Sequence, residues 1–165
     1  MRAFLRGHRA MIDLLRHEIG GQDGMSPSSV QKMNVPIRVL LLTPPKDYRH
    51  RLKTSLSSGL ESFGLKKIKI IMPDTTVGDG GLISPSEADG VIADLTDDDA
   101  NVMYNVGFAH GMKKPVFIIR QDTKSIPFDL TGYLYCTYDM SFTGLAGLSD
   151  QVHHWFRRTF RDRLS

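Results

Sequence analysis

In the stretch NVMYNVGFAHGMKKPVFII, Asn101 to Ile119, the side chains Asn101, Tyr104 and Asn105 stand at i, i+3 and i+4, so a helix puts them on one face, continued by Phe108. Two amides beside an aromatic ring can hydrogen-bond a sugar while a base stacks. The structural alternative is an N-terminal cap at Asn101 and a satisfied core amide at Asn105. Asp94 closes the apolar run GVIADLT just upstream. A carboxylate there can accept hydrogen bonds from a ribose or base, shuttle a proton if its pKa is raised, or simply cap the following turn.

The neighbouring triplet Asp97, Asp98 and Asp99 is the usual chemistry of a helix N-terminus, where carboxylates cap the chain and complement the dipole; magnesium binding is the minority reading. A phosphate is better served by TPPKDYRHR, whose Thr43, Lys46, Arg49 and Arg51 supply donors ahead of another helix start. Pro44 and Pro45 remove two amide donors from that loop, and no Walker pattern is present. GDGG at Gly78–Gly81 lacks the GxGxxG spacing and reads as a turn. The histidines show no metal-ligand spacing, and His153 and His154 lie on a basic helix, so neither a metal nor a cofactor is expected.

The elements that must position these groups follow from the apolar pattern. With 165 residues and 41% hydrophobic content, the chain suffices for one compact domain with a genuine core. A net charge of +3 does not imply nucleic acid, and no apolar run is long enough to span a membrane. The lone Cys136, in an apolar run, reads as a core residue and suits the reducing cytoplasm. Residues 1–20 read as an amphipathic helix with Leu5, Ile12, Leu15 and Ile19 on one face, residues 21–34 as a Gly- and Ser-rich linker, and 35–165 as the globular domain.

Within that domain, PIRVLLLTP, KKIKIIMPD, GVIADLT, PVFIIR and YLYCTYD read as strands. Helical spacing of Leu52, Leu56, Leu60 and Phe63, of the Asn101–Phe108 stretch, and of Leu148, Val152, Trp155, Phe156 and Phe160 separates or follows them. This alternation predicts a flavodoxin-like or Rossmann-like α/β fold: a five-stranded parallel sheet in order 2-1-3-4-5, with helices on both faces. Ligands of such sheets sit beyond the carboxyl ends of the strands, where the strand order reverses. TPPKDY and DLTDDDAN then share one mouth.

The run ADGVIADLTDDDANVMYNVGFAHGMKKPVFIIRQDTKSIPFDLTGYLYCTYD, Ala88 to Asp139, resembles the nucleoside 2-deoxyribosyltransferase-like superfamily, and most of all its bacterial TIR-like nucleotide-binding branch. ADLT, NVMY, GFAHG, KKPV and IPFDL occur in the family's order and spacing, and the likeness extends more loosely back to the first strand. The resemblance implies a domain that handles nucleosides or nucleotides. In the transferases a glutamate on this helix attacks the anomeric carbon and displaces the base, giving a covalent glycosyl-enzyme intermediate, while an aspartate at the position of Asp94 assists. Asn101, Tyr104, Gly107 and His110 agree with that pattern. Where the family reads YELG this chain reads YNVG, which puts Asn105 at the nucleophile's position.

The resemblance therefore implies a nucleoside- or nucleotide-binding, sensing domain without double-displacement transfer. Thr43, Pro44, Asp94, Asn101, Tyr104, Asn105 and Gly107 would line the nucleoside site, with Lys46 and Arg49 toward a phosphate. One alternative is an active N-glycosidase, deoxyribosyltransferase or NAD(P)-cleaving hydrolase using Asp94. The other is a TIR-like assembly module that forms homo-oligomers.

Overall fold

The computed structural model describes residues 35–73, 84–121 and 135–165. The amphipathic helix and linker expected over 1–34, the GDGG turn and the IPFDL stretch lie outside the described residues.

The strands are β1 (Ile37–Leu42), β2 (Ile68–Ile71), β3 (Gly90–Asp94), β4 (Val116–Gln121) and β5 (Tyr135–Tyr138). The helices are α1 (Arg49–Ser62), α2 (Ala100–Gly111), α3 (Phe142–Thr159) and the short α4 (Arg161–Leu164), with a 3-10 turn at Pro85–Glu87. All strand pairs are parallel and the order is β2-β1-β3-β4-β5, as the alternation of apolar runs predicts. Every residue of β3 is buried, which is why its sequence shows no polar alternation until Asp94. The strand order reverses between β1 and β3, so the carboxyl ends of Leu42 and Asp94 flank the switch point.

Period-two alternation divides the strand side chains between two layers. Ile37, Val39, Leu41, Ile92 and Ile119 pack with Leu52, Leu56 and Leu60 of α1 and with Leu148, Val152 and Phe156 of α3. Leu40, Leu42, Val91, Ala93 and Ile118 pack on the other face with Val102, Val106 and Ala109 of α2. Each fully buried leucine or isoleucine contributes about 1.5–3 kcal/mol relative to exposure. The helix spacing in the sequence is thus a record of which layer each helix covers.

Gly64 is required by its backbone conformation and Gly59 by packing. Gly64 takes φ 78 after α1, letting the Leu65 N–H reach the Leu60 carbonyl at 3.0 Å and close the helix end. Gly59 lets α1 lie against α3, since a Cβ there would sit 2.5 Å from Ser149 Oγ.

The C-terminal segment is latched to the start of β3. Arg163 Nη1 donates to Asp89 Oδ1 at 2.6 Å, and the Arg38 amide donates to Asp89 Oδ2 at 2.8 Å. Burial pushes the Asp89 carboxyl up, but the bonds from Arg163 and Arg38 and the charges of Arg163 and Lys114 outweigh it and hold the group below the usual range. A depressed carboxylate stabilises the fold above its unfolded pKa, and that contribution is lost as pH falls through the folded value. Arg163→Met is expected to cost under about 1 kcal/mol at neutral pH, because the pair is partly exposed and screened. In urea titrations the difference from wild type should vanish below the carboxylate range; a difference constant in pH would assign the effect to packing.

Candidate functional site

The carboxyl ends of β1, β3, β4 and β5 carry a polar network in two layers. On the α1 and α3 side lies Asp94, which is fully buried. Its Oδ2 accepts from the hydroxyls of Tyr48 and Tyr138, each at 2.8 Å. Its Oδ1 accepts from the Thr96 amide at 3.0 Å and from the Thr96 hydroxyl. Thr96 Oγ1 in turn accepts the Gln121 amide at 3.1 Å. Side chains and backbone from the loop after β1, from β3, from β4 and from β5 are thereby tied to one carboxylate.

Four donors and no acceptor around a carboxyl group are the complement of its ionised form. Burial pushes the Asp94 pKa up, opposed by the hydrogen bonds from Thr96, Tyr138 and Tyr48. The two tyrosines are held far above the ordinary phenol value, first by their own burial and then by the charge of Asp94. These phenols stay protonated donors at any physiological pH. Both lone-pair regions of each Asp94 oxygen are in use, so a ligand or attacking water has to displace a tyrosine or threonine to reach it.

On the α2 side, each aspartate of the triplet has its own partner. Asp99 is the N-cap of α2, its Oδ1 accepting the amides of Asn101 at 2.9 Å and Val102 at 3.1 Å. The helix is therefore capped from two residues before Asn101, whose side chain is exposed. Asp98 pairs with Arg120 at 2.9 Å, and Asp97 pairs with Lys46 at 3.2 Å across the mouth between the loops after β1 and β3.

The remaining sequence-predicted residues fall into separate settings. Asn105 Nδ2 donates to the Asn101 carbonyl at 2.8 Å, back along its own helix. Tyr104 is 74% exposed. A Cβ on Gly107 would meet nothing within 4 Å, so no packing requires glycine there. Among the described residues no hydrogen bond joins Asn101, Tyr104 or Asn105 to Asp94. Asp94 faces the α1 layer, while Asn105 rides on the helix covering the opposite face.

Pro44 is buried, and the Thr43 hydroxyl beside it is buried without a partner among the described residues. Lys46 and Arg49, expected near a phosphate, are engaged elsewhere. Lys46 meets Asp97, and Arg49 turns to the end of β2, donating through Nη2 to the Pro73 carbonyl at 2.7 Å and through Nε to Met72 Sδ at 3.5 Å.

Tyr48, Thr96, Tyr138 and Arg120 were not singled out by motif. Arg120 carried a signal nonetheless: a lone arginine closing the apolar run PVFII is incompatible with a two-face-covered strand unless it has a charged partner.

A cavity of about 600 Å³ lies away from this network, between α1 and α3, lined by Phe63, Phe142, Leu145 and Ser149 among others. The hydroxyls of Ser62 and Ser149 bond to carbonyls of their own helices, and the surface of the cavity is mostly apolar although Arg51, Thr54, Ser55 and Ser58 also border it. No helix among the described residues is long and apolar enough to cross a membrane.

No family model and no curated protein matches the chain. Among solved structures it is similar to a 2-desoxiribosyltransferase from Leishmania mexicana, at 16% identity over 54% of this chain and 67% of that one, with TM-score 0.42. It is also similar to a lysine decarboxylase from Francisella novicida, at 16% identity over 79% of this chain, with TM-score 0.47. A constitutive lysine decarboxylase from E. coli gives 13% identity over 78% and TM-score 0.45. The chain spans 18% of the length of each decarboxylase.

Proposed function

We propose that the crevice at the carboxyl ends of β1, β3 and β4 binds a nucleoside or nucleotide, and that the chain is a sensing domain of deoxyribosyltransferase-like ancestry with no covalent transfer chemistry. One observation carries this reading. Of the four buried side-chain polar atoms without a partner among the described residues, Thr43 Oγ1, Arg120 Nε and Arg120 Nη2 belong to the carboxyl ends of β1 and β4, on either side of Asp94. An unsatisfied buried donor or acceptor costs about 1–3 kcal/mol. Such groups are tolerated where a ligand or ordered water completes them, and here they stand at the carboxyl ends of the two strands that flank β3.

The chemistry available supports binding over turnover. Asn105 presents an amide, a far weaker nucleophile than a carboxylate and without the charge that would stabilise an oxocarbenium-like transition state. Asp94, the other candidate, has both oxygens saturated by tyrosine and threonine donors. As a strut it keeps the strand ends in place under the ligand.

Calorimetry with nucleosides, nucleoside monophosphates and NAD, run beside chromatographic detection of free base, tests the proposal. Heat of binding without base release is the expected result; absence of binding to all of these ligands sinks it. A sharper variant is Thr43→Val, which removes the orphan hydroxyl at nearly constant shape. It should weaken ligand binding by roughly three- to tenfold, the loss of one modest hydrogen bond. Thermal stability should be unchanged or slightly raised, whereas a loss of stability would make Thr43 a structural residue.

The assembly reading has one observation in its favour: Phe142 is 86% exposed beside the apolar cavity between α1 and α3. Light scattering across a concentration series, with Phe142→Ser as the comparison, separates it from binding by a monomer.

A further inference from the structure

We infer that Arg120 is the phosphate receptor of this crevice, and that Asp98 occupies its place in the unliganded chain; the inference rests on the nucleotide-binding reading above. Alternation along β4 puts Arg120, two residues after Ile118, on the α2 side with it, and the residue is 1% exposed. Among the described residues only Nη1 has a partner, one oxygen of Asp98 at 2.9 Å; Nε and Nη2 have none there. A guanidinium is a planar fork suited to bidentate carboxylate or phosphate recognition, so a single contact leaves most of its capacity unused. This pairing is the weaker of the arrangements available to it.

Asp98 has the properties of an exchangeable partner. Its side chain is 44% exposed while that of Arg120 is 2% exposed, so the carboxylate can return to water and the guanidinium cannot. Its backbone sits at φ 53 in the turn after β3, a left-handed conformation that aspartate tolerates better than most residues, so the turn does not depend on the pair with Arg120. A phosphate offers three oxygens in the tetrahedral spread that can engage a second nitrogen of the fork as well as the first. The exchange returns one carboxylate to solvent and completes a buried donor.

The same reasoning separates Arg120 from the cation that the loop sequence favours. Lys46 meets Asp97 with side chains 54% and 36% exposed, an open surface pair whose loss or gain changes little. Arg49 is turned to Pro73. The fork at β4 is the cation among these three with buried donors that lack a partner among the described residues.

The test compares common ribonucleosides with their 5′-monophosphates by calorimetry and reads the ratio of the two dissociation constants. In the wild type the monophosphate should bind more tightly by roughly tenfold, the scale of a charge-assisted hydrogen bond. Arg120→Lys and Arg120→Met should bring that ratio close to unity while nucleoside affinity persists. Asp98→Asn, which frees the fork without removing it, should raise the ratio several-fold. Asp97→Asn changes the net charge equally but frees Lys46, so it should leave the ratio nearly unmoved. Equal gains from Asp98→Asn and Asp97→Asn would overturn the assignment to Arg120, leaving general electrostatics. So would equal affinity for nucleoside and monophosphate in the wild type, although nucleoside binding itself would then stand. If the Arg120 variants fail to fold by circular dichroism, the pair of aspartate variants decides alone.

Discussion

Asp94→Ala is expected to unfold at a markedly lower temperature than the wild type, by roughly 5–15 °C. The substitution strands the hydroxyls of Tyr48 and Tyr138 and the amide of Thr96, all of which point at one carboxylate. Each buried donor left unpaired costs about 1–3 kcal/mol, and partial rehydration of the half-buried Tyr48 keeps the total near 2–4 kcal/mol. In a domain of this size each kilocalorie is worth about 2–4 °C. Asp94→Asn keeps the shape and part of the acceptor set, so it should fall between the two. Ligand binding should weaken in step with stability, because the network fixes the loop after β1 against the ends of β3 and β5.

This result bears on how catalysis could be diagnosed. Loss of base release in Asp94→Ala would be the natural sign of a catalytic aspartate, yet a strut produces the same loss by letting the strand ends part. The readout that separates them is stability. An Asp94→Ala protein that melts with the wild type and has lost only activity would make Asp94 a group that touches substrate. One that melts early, with its residual binding recovered at low temperature, is the strut described above.

The contrast between Asp94 and its partners shows what a one-dimensional reading can and cannot reach. The strand order was legible because apolar runs, helix spacing and the handedness of parallel crossovers leave few arrangements. The position of Asp94 at a strand's carboxyl end was legible for the same reason. Its saturation was not, since Tyr48 and Tyr138 lie 46 and 44 residues away in the chain and approach only when β1, β3 and β5 align. Likewise the aspartate triplet reads as three equivalent caps, whereas Asp97, Asp98 and Asp99 take a lysine, an arginine and a helix end as separate partners. Lys46 and Arg49 read as phosphate contacts because a sequence shows charge without showing what each side chain meets in the fold, Asp97 for the one and the Pro73 carbonyl for the other.

Asn105→Glu is the second variant with a large expected effect, and it addresses ancestry directly. Position 105 lies midway along α2, whose cap at Asp99 and buried face at Val102, Val106 and Ala109 do not involve it, so the helix should form unchanged. A glutamate cannot donate to the Asn101 carbonyl as Asn105 Nδ2 does, which frees the new side chain from the helix backbone. If the crevice holds a nucleoside in the orientation the resemblance implies, the carboxylate stands where attack on the anomeric carbon displaces the base. Free base should then appear at least about tenfold above the wild-type background, at a rate that rises as the glutamate ionises above a pH of roughly 4–5. The outcome should be read against calorimetry on the same preparation. A variant that binds nucleoside as the wild type does and releases nothing would mean that the crevice presents the sugar differently from a transferase. The separation of Asp94 onto the opposite layer from Asn105 supplies the physical reason such an outcome would have.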